Sequence, residues 1–528
     1  MKISLRSIVK ILVVIFLFVW FGAQLTKKID LTTADLGRHI QNGQVIISGS
    51  WAEKRAVLNT NFYSYTLPNQ SFVNHHWLSG VVFYFIHRPF GFAGLSIFYV
   101  LLGMLTFWLY FLAAKKAGGF WLAVFFGLLL MPLMASRAEV RPEMFTYLFS
   151  GIFYFILAKW RTGKLVNGWL LILPTVMLFW VNLHIGFVFG FLVVGAFGLE
   201  QLVKHFKHQP NGFIPLVFFG GASLLASLIN PFGYRALLYP LNIFKNYGYL
   251  IVENQSVRFL ENLGFTAGEH FLLFKSVIVL LVLLIVFLAI KSWRKLNWPG
   301  IILAGVSGVM AYFGIRHFPS FAFFAWPLLS GIAFHLLPWE RIRLFVRGHL
   351  AYRLGGWAVG LAAIVLLAAP QWQAMAALGS AWGFGLLPGS NSAAEFFIKS
   401  GLKGPIFNNY DIGGYLIYNL YPAEKVFVDN RPEAYTVDFF ENSYKAPQVD
   451  EVKWAALAKR YNFNAIFFSH RDYTSWAQAF LISRINDGNW VPIFADSNNI
   501  IFIRKSKENV QLIQKYYIPP ERFKVVQP

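Results

Sequence analysis

Long apolar runs broken by short polar turns set the rhythm of the first 370 residues, and a shorter alternation replaces it afterwards. The first run, Ile11–Leu25, follows the basic segment Met1–Lys10. No small-residue cleavage site follows it; Lys27, Lys28 and Asp30 come next, so an uncleaved first helix is predicted. Trp77–Ile86 is too short to cross a bilayer alone, since a crossing needs roughly 20 residues. A break is expected near Pro89–Gly91. Further spans are read near 92–114, 120–135, 144–159, 166–181, 185–203, 212–229, 271–290, 298–313, 317–337 and 351–370. With the first helix these make eleven. Between the first run and Trp77 lies a long polar loop, residues 27–76.

Past Pro370 the pattern changes. Residues 371–392 are rich in Gly, Ala and Ser and read as a linker. Residues 393–528 alternate short apolar strands with amphipathic segments, which predicts a small α/β domain. Expected strands are Pro405–Asn408, Lys425–Asp429 and Ala465–Ser469, then a hairpin of Trp490–Ala495 and Ile500–Arg504. Expected helices are Gly414–Leu420, Val452–Tyr461 and Thr474–Asp487. Residues 1–370 thus form a polytopic α-helical membrane domain.

Composition agrees with that class: 57% hydrophobic, 18% aromatic and only 13% charged, with a mean hydropathy of +0.52. The net charge of +22 suggests nucleic acid until it is divided along the chain. Residues 371–528 hold 16 Lys+Arg against 14 Asp+Glu, so +20 belongs to the membrane domain, spread over its short loops. Such a layout orients a membrane protein and makes no groove for a phosphate backbone. The segments Met1–Lys10, Lys115–Lys116, Lys159–Lys164, Lys204–Lys207, Lys291–Lys295 and Arg341–Arg353 carry 17 Lys+Arg, with only Glu200 and Glu340 as acids nearby. Placing them in the cytoplasm satisfies the positive-inside rule and leaves the N-terminus inside and residues 371–528 outside. The expected location is the plasma (inner) membrane, with an extracytoplasmic tail.

Chemistry-bearing residues gather at the outer ends of the spans. Asp35, Arg38 and His39 fall within one helical turn of the first outer loop, and His75 and His76 close that loop. Arg137, Glu139, Arg141 and Glu143 fill one short turn; Asn182 with His184, and Arg316 with His317, sit between spans with almost no loop. Ionisable groups at membrane depth are expensive, which marks them as functional candidates. Each has a plainer reading: Arg137 and Arg141 can pair with Glu139 or Glu143, His184 can serve packing, and Asp35 can cap the helix after it. Thr32 and Thr33 are also available for that cap.

No metal-ligand spacing is convincing, because adjacent His75 and His76 would diverge on a regular helix or strand. No P-loop or dinucleotide fingerprint is present, and with no cysteine there is no thiolate site. An acid at the membrane surface ringed by cations suits transfer from a lipid phosphate. The cations hold the phosphate leaving group while the carboxylate deprotonates an incoming hydroxyl. Asp35 is the expected base; Arg38, His39, His75, His76, Arg137, Arg141, Asn182, His184, Arg316 and His317 are the expected substrate-binding residues.

In layout and in several short stretches the chain resembles the type-C (GT-C fold) membrane glycosyltransferases, in particular their RgtA/B/C/D-like bacterial group. The stretches are A-D-L-G-R-H-I-Q-N-G, S-F-V-N-H-H-W-L, R-A-E-V-R-P-E-M-F, W-V-N-L-H-I-G-F, N-N-Y-D-I-G-G-Y-L and V-F-V-D-N-R. The resemblance implies a polyprenyl-phosphate-linked sugar as donor, used on the outer face of the membrane, with Asp35 as base or acceptor-orienting group. It leaves the acceptor open among glycan, lipid and protein. The chain departs from the oligosaccharyltransferase branch: its tail lacks W-W-D-Y-G and its first loop lacks D-x-D, so a divalent metal is not indicated. A carrier or flippase for a lipid-linked glycan would instead show internal pseudo-symmetry, and no repeat is found. A non-catalytic membrane scaffold is the third reading.

Overall fold

The computed structural model describes residues 4–33, 35–265, 268–339 and 350–523. The basic stretch Arg341–Arg347, with Glu340, lies outside the described residues. The chain divides into two compact units, each assembled from separated stretches. Unit 1 comprises Met1–Lys27, Ser96–Leu237 and Ile251–Gly383; unit 2 comprises Lys28–Leu95, Leu238–Leu250 and Phe384–Pro528. The first outer loop and the C-terminal region therefore fold together.

Unit 1 is helical. Its helices include α1 (Leu5–Leu25), α5 (Phe120–Met134), α6 (Glu143–Trp160), α7 (Ile172–Leu183), α8 (Val188–Phe206) and α9 (Phe213–Ser227). Helices Gly268–Ser292, Trp298–Phe313, Phe318–Leu336 and Leu350–Ala377 follow. Among the described residues, five helices are long and apolar enough to cross a membrane, and five shorter apolar helices of 10–17 residues accompany them. Helix Phe318–Leu336 is the central one: Trp326 is wholly buried, donates to the Ala123 carbonyl at 2.8 Å and packs on Phe107. Helix α4 (Trp77–Gly118) is two helices joined at Gly91, whose φ of 59° only glycine adopts at ease. The break expected near Pro89–Gly91 is there, and residues up to Leu95 belong to unit 2.

In unit 2 the first outer loop folds into α2 (Leu36–Ser48) and α3 (Trp51–Asn59). A capping box starts α3: Ser50 accepts from the Glu53 backbone while Glu53 reaches back to the Ser50 backbone. The C-terminal part carries a four-stranded sheet in the order β1-β2-β4-β3, with β1 Ile406–Asn408, β2 Ala465–Ser469, β3 Trp490–Ala495 and β4 Asn499–Arg504. β1 and β2 are parallel, with Phe407 opposite Ile466; the other pairings are antiparallel. All five residues of β2 are buried, as expected for a strand covered on both faces. Phe468 packs with Phe407 and Phe480 on one face, and Phe467 with Phe397 and Tyr415 on the other.

The helices Gly413–Leu420, Glu451–Tyr461 and Ser475–Ile485 lie where the apolar pattern put them. The expected strand Lys425–Asp429 does not form. Val426 makes one parallel bridge to Ser64 of the outer loop, and on its other side the Asn408 side chain takes the backbone, accepting from Phe427 N–H and donating to the Val428 carbonyl. A side chain thus occupies the edge where a neighbouring strand would pair.

Candidate functional site

Asp35 occupies the N-cap position of α2, yet its side chain makes no capping hydrogen bond. The carboxylate instead accepts from the Asn430 amide, and its other oxygen lies 3.9 Å from Arg38 Nη2. Arg38 Nε in turn donates to Asn430 Oδ1 at 3.3 Å, so one asparagine holds both the acid and the cation. Two glycines make this possible. A Cβ at Gly37 would sit 2.8 Å from Tyr418 Cβ and 2.9 Å from the Gly414 carbonyl, so only glycine lets α2 lie this close to helix Gly413–Leu420. A Cβ at Gly413 would fall 2.3 Å from Asp429 Cα, so glycine also admits the Asp429–Arg431 segment. Asp30, by contrast, is committed to a turn: its Oδ1 accepts from both the backbone and hydroxyl of Thr32.

Beneath Asn430 lies a buried polar node. Arg431 makes a bidentate pair with Asp429, at 2.7 Å from Nε and 2.6 Å from Nη2, and donates to Asn61 Oδ1 at 2.8 Å. The Tyr435 hydroxyl adds a bond to Asp429 at 3.1 Å, and the guanidinium lies 4.7 Å over the Phe72 ring. Asn61 and Phe72 come from the outer loop and the other members from the C-terminal part, so the node fixes the two segments that meet at Asp35.

The three histidines of the loop converge. His39 is buried, with its ring centroid 5.4 Å from that of His76, and the His75 ring lies tilted against His76 at 4.0 Å and against Tyr239 at 4.9 Å. The divergence expected of neighbouring side chains does not apply, because His75 and His76 lie in a turn. Asp411 adds a second acid to the neighbourhood. Its carboxyl is pushed up to about 7 by lost hydration, then by the negative charges of Asp472 and Asp35; water at its exposed edge screens part of that push. A carboxyl raised from 3.8 binds its proton more tightly in the folded chain. Its stabilising contribution is therefore full below pH 3.8 and is lost as pH rises toward about 7. Melting curves of Asp411→Asn are expected to be flatter over that window than those of the wild type. Parallel curves would deny Asp411 this role.

The remaining candidates lie in unit 1. Arg137 pairs with Glu143 at 2.7 Å and Glu253 at 2.6 Å; Arg141 pairs with Glu139 at 2.9 Å and Glu253 at 3.2 Å. Arg316 lies 3.7 Å from Glu143 and donates to Asn254 at 2.9 Å, while Lys27 approaches Glu139 at 3.4 Å. Burial favours the neutral form of Glu253, but Arg141, Arg137 and Arg316 outweigh it and hold the carboxyl well below its usual range. The arginines are thus set in a charge network whose key member, Glu253, is far from them in sequence. His317 neighbours this network and faces the Phe189 ring at 6.0 Å. Asn182 and His184 have structural work: Asn182 donates to the Leu178 and Ile229 carbonyls, and His184 Nδ1 accepts from Gly186 N–H and meets the Thr146 hydroxyl at 2.7 Å.

The sequence candidates therefore fall into two groups, Asp35, Arg38, His39, His75 and His76 in unit 2 and Arg137, Arg141, Arg316 and His317 in unit 1. Sequence reasoning gave no role to Asn430 or Asp411, which stand inside the stretches V-F-V-D-N-R and N-N-Y-D-I-G-G-Y-L, and it did not join Glu253, an outer-loop candidate, to the arginines. The signal for Asn430 was its place in D-N-R, three polar residues directly after the apolar Val426–Val428.

No protein-family model matches the chain, and no curated protein matches it. Solved structures do. The archaeal oligosaccharyltransferase AglB from Archaeoglobus fulgidus, in complex with an inhibitory peptide and a dolichol-phosphate, superposes with a TM-score of 0.56 over 96% of this chain and 75% of its own, at 11% identity. ArnT from Cupriavidus metallidurans in the apo state superposes with a TM-score of 0.53 over 94% of this chain and 98% of its own, at 16% identity. Both are membrane glycosyltransferases of the GT-C fold, and at these identities the likeness is one of architecture. The chain has the GT-C fold.

Proposed function

We propose that the protein is a membrane glycosyltransferase that moves a sugar from a polyprenyl-phosphate-linked donor to an acceptor hydroxyl on the outer side of the membrane. The observation that carries this reading is the Asp35 carboxylate: it stands at a helix N-cap position without capping and is held by Asn430 and Arg38. The GT-C fold supports it, since AglB is an oligosaccharyltransferase.

In this reading the acceptor oxygen attacks the anomeric carbon while the bond from that carbon to the phosphate oxygen breaks. The hydroxyl proton passes to Asp35, and the polyprenyl phosphate leaves with the bonding electrons. One displacement inverts the anomeric centre. Arg38 and the loop histidines His39, His75 and His76 contribute cationic or hydrogen-bonding groups beside the carboxylate. Arg137, Arg141, Arg316 and His317 form a second binding region, in which the glutamates hold the arginine side chains in fixed geometry for a phosphate. Asn182 and His184 are given no direct role.

The test is transfer by the purified protein from a panel of polyprenyl-phosphate sugars to hydroxyl acceptors. Absence of transfer across the panel, with intact protein, would count against the reading. The orientation has its own test, since the chain holds no cysteine. A single cysteine placed at Asp450 is expected to react with an impermeant maleimide from outside the cell, and labelling only from the cytoplasm would invert the topology.

A further inference from the structure

At the end of α6 remote from Glu143, unit 1 contains a cavity of about 720 Å³. An 18-residue helix spans roughly 27 Å, so this cavity is well separated from the Arg137–Glu253 network. Among the described residues seven Lys and Arg side chains line it, from three separate stretches of chain: Lys115 and Lys116 at the end of α4, Lys159, Arg161 and Lys164 at and just past the end of α6, and Arg294 and Lys295 before helix Trp298–Phe313. No acid lines it. Glu200, an acid near its edge, is engaged by Arg161 at 2.7 Å and Lys204 at 3.2 Å. Arg161 is further fixed by Asn297 Oδ1 at 2.6 Å, which makes a braced edge to the cavity.

Orientation by basic loops accounts for cations at these helix ends, but it does not account for their convergence on one hollow. Like charges around a shared space repel one another, and an anion within it removes that cost. The wall between the cations is apolar, formed by Phe155, Ala158, Leu328 and Ile332. Cations above an apolar wall between membrane helices match a group with a phosphate head and a hydrocarbon tail.

We propose that this cavity binds a phosphate-bearing anion, with Lys115, Lys159, Lys164, Arg294 and Lys295 around the phosphate and the apolar wall receiving the chain of an anionic phospholipid. The site is independent of the transfer reaction and of Asp35.

The experiment uses the full-length protein in mixed micelles of phosphatidylglycerol and phosphatidylcholine, with bound lipid read by native mass spectrometry. The wild type is expected to retain phosphatidylglycerol over phosphatidylcholine. The triple variant Lys159→Gln, Lys164→Gln, Lys295→Gln is expected to retain it about 100-fold less, taking roughly fivefold for each cation removed. A control that removes three cations outside the cavity, Lys10→Gln, Lys207→Gln, Lys291→Gln, is expected to match the wild type. A second arm adds inorganic phosphate without lipid. Thermal stabilisation of the wild type but not the triple variant, without lipid preference, would identify free phosphate as the occupant of the same cations. Equal lipid retention by wild type and triple variant, with no phosphate effect, overturns the proposal. Should the triple variant fail to elute as a single species, wild-type retention is followed from about 0.05 M to about 0.5 M salt, where screening is expected to release the lipid. Retention unchanged by salt overturns it equally.

Discussion

Asp35→Asn is expected to cut turnover by about 100-fold or more while leaving the fold intact, the size of effect that loss of a general base produces. The substitution preserves shape, and the new amide carbonyl can still accept from Asn430. What disappears is the capacity to take a proton. Arg38 keeps its bond to Asn430, so the charge beside position 35 is not stranded. Two companions separate chemistry from architecture. Asp30→Asn perturbs only the turn at Thr32 and is expected to retain turnover. Asn430→Ala removes the group that positions Asp35 and is expected to lower turnover less than Asp35→Asn, with a displaced pH profile. Near wild-type turnover from the Asp35 variant would remove the outer loop from the centre of the mechanism.

The helices were legible because burial in this chain follows simple periods. Apolar runs between basic turns located most helices of unit 1 to within a few residues, and even the break in α4 was marked by Pro89 and Gly91. The first helix, however, begins earlier, at Leu5, and helix Leu350–Ala377 runs on past Pro370 into the stretch read as a linker. β2 and the β3–β4 hairpin were marked equally well by their apolar, β-branched and aromatic residues. The failure at Lys425–Asp429 has the opposite cause: the segment has strand composition, but a side chain, Asn408, takes its backbone groups. No local pattern reports such a partner.

The site was legible only in part. Position in the first outer loop pointed to Asp35, and helical spacing joined it to Arg38. The third member, Asn430, lies 395 residues away, and only folding brings it near. The pairing of Glu253 with arginines 112 and 116 residues distant was hidden for the same reason. The comparison with AglB sets a related limit. Its architecture covers nearly all of this chain, yet the tail here lacks W-W-D-Y-G and the first loop lacks D-x-D. Fold does not carry the acceptor, which resides in side chains grafted on the fold.

The buried node below Asn430 gives the largest expected effect on stability. Asp429 and Arg431 are 0% and 1% exposed, and the pair is bidentate, so each charge depends on the other for its loss of hydration. Asp429→Ala leaves the guanidinium with Asn61 as its remaining polar partner among the described bonds, together with the faces of Phe72 and Tyr63. Breaking a buried pair from one side costs about 3–5 kcal/mol, because an uncompensated charge remains. Replacing both members by apolar residues of similar volume is often close to neutral. Asp429→Ala is therefore expected to lower the thermal midpoint strongly and to expose the outer loop and C-terminal part to protease. The double variant Asp429→Leu, Arg431→Met is expected to recover much of that loss. Its recovery would be incomplete, because the Tyr435 hydroxyl and the Asn61 amide also lose a partner. Fluorescence-detected melting and limited proteolysis of the detergent-solubilised protein check both outcomes. An Asp429→Ala protein that melts with the wild type would show that the node does not hold the outer loop to the C-terminal part.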